Sequence, residues 1–158
     1  MERKVKLKLC LACTLGGHLT QLMQLQPFYS QYDHFFITED RNMTRELAKV
    51  ENVKLVKQIN RRKWNFLFLL VYNSILSLAY LLHEKPDIII STGALSAVPV
   101  CYLGKMLGYK VIFIESYAKV SSPTLSGKLV YRIADLFIIQ WEELRKFYPK
   151  AVYGGSIY

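Results

Sequence analysis

Three cysteines are too few and too badly placed to staple this chain of 158 residues. Cys10, Cys13 and Cys101 are odd in number and lie in apolar stretches, the pattern of reduced core thiols in a cytosolic compartment rather than of a disulfide framework. Cys10 and Cys13 do form a C-x-x-C, but alternation along a strand sends them to opposite faces, which argues against a redox or metal pair. No metal cluster is evident elsewhere, and none is expected. Acid is also scarce: 12 Asp and Glu stand against 21 Lys and Arg, a net charge of +9. That balance favours anionic partners, whether nucleic acid, phospholipid headgroups or a pyrophosphate-bearing substrate. The basic residues are dispersed, with no stacking platform or recognition motif beside them, which argues against nucleic acid. A secretory signal is not expected, since Met1 to Lys8 is basic and the apolar run after it lacks a small-residue cleavage site. A length of 158 residues suits one core of ordinary size, so residues 1–158 are expected to form a single domain, with no internal repeat or low-complexity linker interrupting it.

What the chain has in quantity is apolar surface, with 52% hydrophobic and 13% aromatic residues. That richness anticipates contact with lipid or a partner. Read for period, short β-rich runs alternate with helical stretches. Strands are expected at Val5 to Cys13, His34 to Thr38, Val53 to Val56, Asp87 to Ser91, Lys110 to Glu115, Leu136 to Gln140 and Ala151 to Tyr153. Helices are expected at His18 to Tyr29, Met43 to Val50, Trp64 to Leu82, Ala97 to Leu107, Leu125 to Ala134 and Glu142 to Phe147. Runs such as Ile88-Ile89-Ile90 suit parallel strands covered on both faces. The expected fold class is α/β, a Rossmann-like doubly wound parallel sheet.

In such a sheet, ligands collect at the carboxyl ends of the strands. After the first strand stands Gly16-Gly17-His18, neither a complete G-x-G-x-x-G nor a Walker A loop. Glycines there let the backbone turn and approach an anion, and His18 can bind that anion or move a proton. Thr92 and Gly93 follow the fourth strand, and Glu115 with Ser116 closes the fifth, where the carboxylate can orient a sugar hydroxyl or act as a base. Glu39 and Asp40, after the second strand, read more simply as capping and turn chemistry.

The stretch Trp64 to Leu82 is nineteen residues without a charge, preceded by Arg61, Arg62 and Lys63. At about 1.5 Å per residue it nearly matches a bilayer core. A crossing would divide one sheet between two sides of a membrane, so a helix lying in the interface is the better fit. Trp64, Phe66 and Phe68 would then meet lipid, and the three cations would meet headgroups. The alternative is a buried core helix. Asn73, Ser74 and Ser77 form a short polar stripe along it.

Further motifs carry a family resemblance. They are Leu15-Gly16-Gly17-His18, Ser91-Thr92-Gly93-Ala94, Glu115-Ser116-Tyr117-Ala118-Lys119-Val120, Pro123 to Leu129, Ala134 to Phe137, Gln140 to Leu144 and Tyr148 to Ala151. Together they resemble the polysaccharide-biosynthesis family of PssD type, bacterial relatives of the membrane subunit of the two-subunit dolichol-linked GlcNAc transferase. More distantly the chain is similar to the N-terminal acceptor half of the lipid II GlcNAc transferase. The resemblance implies the N-terminal half of a GT-B fold, with the UDP-sugar donor bound mainly by a separate partner subunit and no cofactor bound by this chain. It implies inverting transfer to an undecaprenyl-diphosphate-linked glycan in capsule or exopolysaccharide biosynthesis. The subunit would sit on the cytoplasmic face of the cell membrane, peripheral or monotopic, as one half of a heterodimer. His18 and Glu115 would be catalytic, and Gly16, Gly17, Thr92, Gly93 and Ser116 would bind the acceptor and its phosphates. The glycine loop is shorter than in the single-chain relative, which leaves His18 open as base or phosphate ligand.

Two other classes compete. A self-sufficient nucleotide-binding Rossmann enzyme would use Gly16-Gly17 for a dinucleotide, with only Glu39 near the usual ribose-binding position. A non-catalytic membrane scaffold for the donor-binding partner would need the basic cluster but neither His18 nor Glu115.

Overall fold

The computed structural model describes residues 7–158. Seven strands, β1 (Lys8–Cys13), β2 (Asp33–Glu39), β3 (Val53–Val56), β4 (Ile88–Gly93), β5 (Lys110–Ile114), β6 (Leu136–Ile139) and β7 (Val152–Tyr153), form one sheet in the order β3-β2-β1-β4-β5-β6-β7. Every pairing is parallel. This is the α/β, Rossmann-like doubly wound sheet that the apolar strand runs anticipate. Strand order reverses between β1 and β4, so their following loops part at that point and open a crevice.

Helices cover both faces: α1 (Gly17–Met23), α2 (Gln26–Tyr29), α3 (Asn42–Leu47), α4 (Phe66–Glu84), α5 (Ala97–Met106), α6 (Leu125–Val130) and a 3-10 turn at Glu142–Lys146. Alternation along β1 divides the core in two. Cys10 and Ala12 pack with Phe35, Ile89, Phe113, Val100 and Val130, while Leu9, Leu11 and Cys13 pack with Phe36, Ile90, Leu22 and Tyr29. Cys10 and Cys13 therefore lie on opposite faces. Burial pushes the Cys13 and Cys101 thiols up to about 12, so both stay protonated at neutral pH.

Several elements depart from the expected boundaries. The helix expected over His18 to Tyr29 breaks after Met23, and α2 restarts with Pro27 in its first turn, where a missing N–H costs nothing. The helix from Leu125 ends at Val130 rather than Ala134, and Glu142 to Lys146 winds as 3-10. β1 starts at Lys8, and Val5 and Lys6 lie outside the described residues. Trp64 precedes α4 instead of opening it; the helix begins at Phe66 and closes at Lys85, whose φ of 48° ends the turn just before Pro86.

α4 wears its polar residues on the inside. Asn73 is buried and pairs with the backbone of Lys57 twice, accepting from its N–H at 2.9 Å and donating to its carbonyl at 2.6 Å. Tyr80 donates to the Leu55 carbonyl at 3.1 Å, and Glu84 takes ion pairs from Lys8 and Lys54. Outward, Leu67, Phe68, Val71, Tyr72 and Ile75 are exposed. A helix in water normally turns these faces the other way. By length and composition α4 is apolar enough to cross a membrane, yet its inner side is anchored along β3.

Candidate functional site

The loops after β1, β3, β4 and β5 enclose a cleft of about 810 Å³ at the carboxyl edge of the sheet. Its floor is a pair of interlocked loops. Thr14 donates its N–H to the Gly93 carbonyl at 2.8 Å, and its hydroxyl accepts from the Ala94 N–H at 3.1 Å. Gly16 turns the chain with φ 78° and ψ −140°, a conformation reserved for glycine. Gly17 enters α1 at an ordinary φ and lines a different cavity, about 260 Å³, with Gln21, Ser116 and Tyr117. The turn therefore needs one glycine of the pair. Gly93 contributes its carbonyl to that floor, but neither it nor Thr92 lines the cleft. Thr92 is buried and donates its hydroxyl to the His18 carbonyl at 2.8 Å, so both act as support for the loop rather than as lining.

His18 is oriented by that support. Its Nδ1 lies 2.6 Å from the Thr92 carbonyl, which can only accept. Nδ1 must therefore carry the proton in the neutral ring, which leaves Nε2 as a free acceptor able to take a proton. The ring packs against Gly93, where an added Cβ would press on it at 3.4 Å, and it stands beside the cleft rather than among the residues that line it.

Glu115 departs furthest from expectation. It is fully buried, and its carboxylate accepts from the Ser116 N–H at 2.8 Å, the Thr124 hydroxyl at 2.7 Å, the Thr124 N–H at 3.2 Å and the Tyr148 hydroxyl at 2.7 Å. With both oxygens engaged and no exposed surface, it cannot reach a substrate hydroxyl as the expected base would. It ties the loop from Ser116 to Thr124 to the start of α6. Burial, then the Glu115 contact, pushes the Tyr148 hydroxyl far above the usual tyrosine range. Gly127 gives the carboxylate room, since a Cβ there would collide with Glu115 and Tyr148.

Chemistry in the cleft comes from other residues. Arg61 and Arg62, expected at lipid headgroups, line it, and Lys119 joins them from the loop after β5. Lys63 and Trp64 are exposed just before α4, Phe68 is on its outer face, and Phe66 is half-buried. Glu39 also lines the cleft and is almost wholly buried. Burial raises its carboxyl above the usual range, and the Ile59 N–H, Ser96 and Arg41 pull it part of the way back. Two buried glutamines, Gln21 in α1 and Gln140 just after β6, were not among the expected site residues. Gln21 and Gln140 both donate to the Glu115 carbonyl, at 3.2 and 2.8 Å, and they accept from the N–H groups of Tyr117 and Ile157. Among the described residues no three His, Cys, Asp or Glu side chains gather as metal ligands.

Residues 15–157 match the family model described as "Oligosaccharide biosynthesis protein Alg14 like". A mouse protein named UDP-N-acetylglucosamine transferase subunit ALG14 is 27% identical over 96% of this chain and 83% of its own length. Its Candida albicans namesake is 40% identical over 55% of the chain and 42% of its own. Among solved structures, Acinetobacter baumannii MurG superposes with a TM-score of 0.71 at 15% identity, over 86% of this chain and 42% of MurG. A Rickettsia bellii UDP-N-acetylglucosamine 2-epimerase gives 0.72 at 14% identity, over 96% and 45% respectively. The chain thus spans less than half of each of these structures, and at such identities they speak for the fold alone, one Rossmann-like half of a GT-B architecture.

Proposed function

The chain belongs to the Alg14-like oligosaccharide biosynthesis family, and from that premise we propose that it is the acceptor-binding subunit of a split glycosyltransferase recruited to the cytoplasmic face of the membrane. The observation that carries this reading is the cleft lined by Arg61, Arg62 and Lys119 at the foot of an outwardly apolar helix. A polyprenyl-diphosphate-linked glycan, undecaprenyl in a bacterial setting, has the matching chemistry. Its diphosphate pairs with the cations, and its tail enters the bilayer beside α4. The names of the relatives support a UDP-N-acetylglucosamine donor, held by a separate subunit across the cleft. Capsule or exopolysaccharide synthesis of PssD type is the setting proposed.

In the transfer, the acceptor hydroxyl forms a new bond to the anomeric carbon from the face opposite UDP. The bond from that carbon to the diphosphate breaks, and UDP leaves with the electron pair. The hydroxyl proton needs a base within hydrogen-bond reach. Nε2 of His18 is this chain's candidate, held in the basic tautomer by the Thr92 carbonyl. Glu115 acts as a positioning residue, shaping the loop that carries Lys119. The test is co-expression with the donor-binding protein, followed by a membrane sugar-transfer assay with and without this chain. Transfer is expected only with both. Full activity of the partner alone on membranes would overturn the reading.

A further inference from the structure

Next to the cationic cleft lies an open groove of about 330 Å³, lined by α4, α5 and α6. Leu70, Val98, Pro99, Leu103 and Leu129 form its walls, and Leu95 lines both this groove and the cleft. Its two polar side chains are satisfied internally. Ser74 donates back to the Leu70 carbonyl at 2.7 Å, and Tyr102 donates to the Leu129 carbonyl at 2.9 Å. What remains is an apolar channel that begins where the charged cleft ends. Beside it runs the outer face of α4, with Leu67, Val71 and Ile75 exposed.

A diphosphate ester carries its hydrocarbon within one bond of the charge. A ligand whose diphosphate fills the cleft must therefore lay its first carbons on an adjoining apolar wall or leave them in water, which is unfavourable for every methylene. We infer that the groove holds the first two five-carbon units of the acceptor's polyprenyl chain, which then passes along α4 into the bilayer. The size agrees: at about 30 Å³ per water-sized group, the space holds roughly ten carbons. Charge complementarity with the cleft and continuity through Leu95 select a prenyl diphosphate over an unattached acyl chain. The inference rests on the acceptor being a polyprenyl diphosphate.

The full chain, titrated by calorimetry with inorganic pyrophosphate, geranyl diphosphate and linear decyl diphosphate, tests it. Geranyl diphosphate should bind roughly tenfold or more tightly than pyrophosphate, and at least as tightly as the decyl ester. Val98→Trp, which fills the groove from α5, should remove that advantage and leave pyrophosphate affinity unchanged. Leu129→Trp, from the half-exposed wall on α6, should do the same, and retained pyrophosphate binding shows that each variant is folded. Equal affinity for the two anions, a preference for the decyl ester, or an undiminished geranyl advantage in both variants would overturn the assignment. Prenyl discrimination without sugar transfer would sink the transferase reading and leave the groove standing, while transfer without discrimination would do the reverse.

Discussion

At the scale of single residues, Gly16 and Gly17 look interchangeable in sequence and differ in structure. Gly16→Ala forces a Cβ into a glycine-only conformation and should cost about 1–3 kcal/mol in urea unfolding. Gly17→Ala meets nothing within 4 Å at an ordinary φ and should stay within about 0.5 kcal/mol of the parent. A second pair separates chemistry from support. Glu115→Ala strands four hydrogen-bond donors and should cost about 2–4 kcal/mol of stability. His18→Ala unpairs only the Thr92 carbonyl and should cost about 1 kcal/mol of stability, less than Glu115→Ala, while lowering transfer by about 10²-fold or more. A stable Glu115→Ala with normal melting would contradict the positioning role. The end-of-strand rule led to Glu115 and His18 because both close apolar strands or open helices. It could not reveal that Thr124 and Tyr148, nine and thirty-three positions away, converge on the carboxylate. Such convergence depends on where α6 and the 3-10 turn pack, and local pattern does not carry that information.

Among the elements, α4 decides most. Its polar stripe of Asn73, Ser74 and Ser77 was readable at helical spacing, and the structure turns Asn73 and Ser77 inward. Asn73→Ala should cost about 1–3 kcal/mol, since it unpairs the Lys57 N–H and carbonyl. Combined Leu67→Glu, Val71→Glu and Ile75→Glu should leave thermal unfolding unchanged and abolish co-flotation with anionic vesicles. The pins at the amino edge of the sheet predict a pH dependence. Hydrogen bonds from Lys54 and Lys8 pull Glu84 down to about 2, and Lys105 with the Val111 N–H does the same for Asp135. Folded values below the unfolded ones mean that this stability is fully present above the usual carboxylate range near pH 4.5. It is lost as pH falls from there toward about 2. Urea midpoints should drop across that window, and less so in Glu84→Gln. The central strands were legible because they hold short apolar runs, such as Ile88-Ile89-Ile90 in β4 and Val111 to Ile114 in β5. The broken helix at Pro27 was not, because both halves share one apolar face against β1 and β2 and so keep a single period across the break.

For the whole molecule, the sheet order and the apolar outer helix together present one edge that carries a cationic cleft, an apolar groove and an outwardly apolar face. Arg61 and Arg62 are expected from sequence at lipid headgroups because they precede the uncharged run; the β3 to α4 connection leaves them exposed and also makes them part of the cleft's lining. Charge reversal at both should therefore weaken acceptor use more than vesicle binding, seen as a rise in KM for the lipid acceptor at unchanged flotation. The most direct measurement of the central claim is sugar transfer from UDP-N-acetylglucosamine to a polyprenyl-diphosphate-linked acceptor in membranes holding the donor-binding protein, with this chain present, absent or carrying His18→Ala. The account predicts transfer with the intact chain, none without it and a deep loss in the variant. Equal transfer in all three would contradict it.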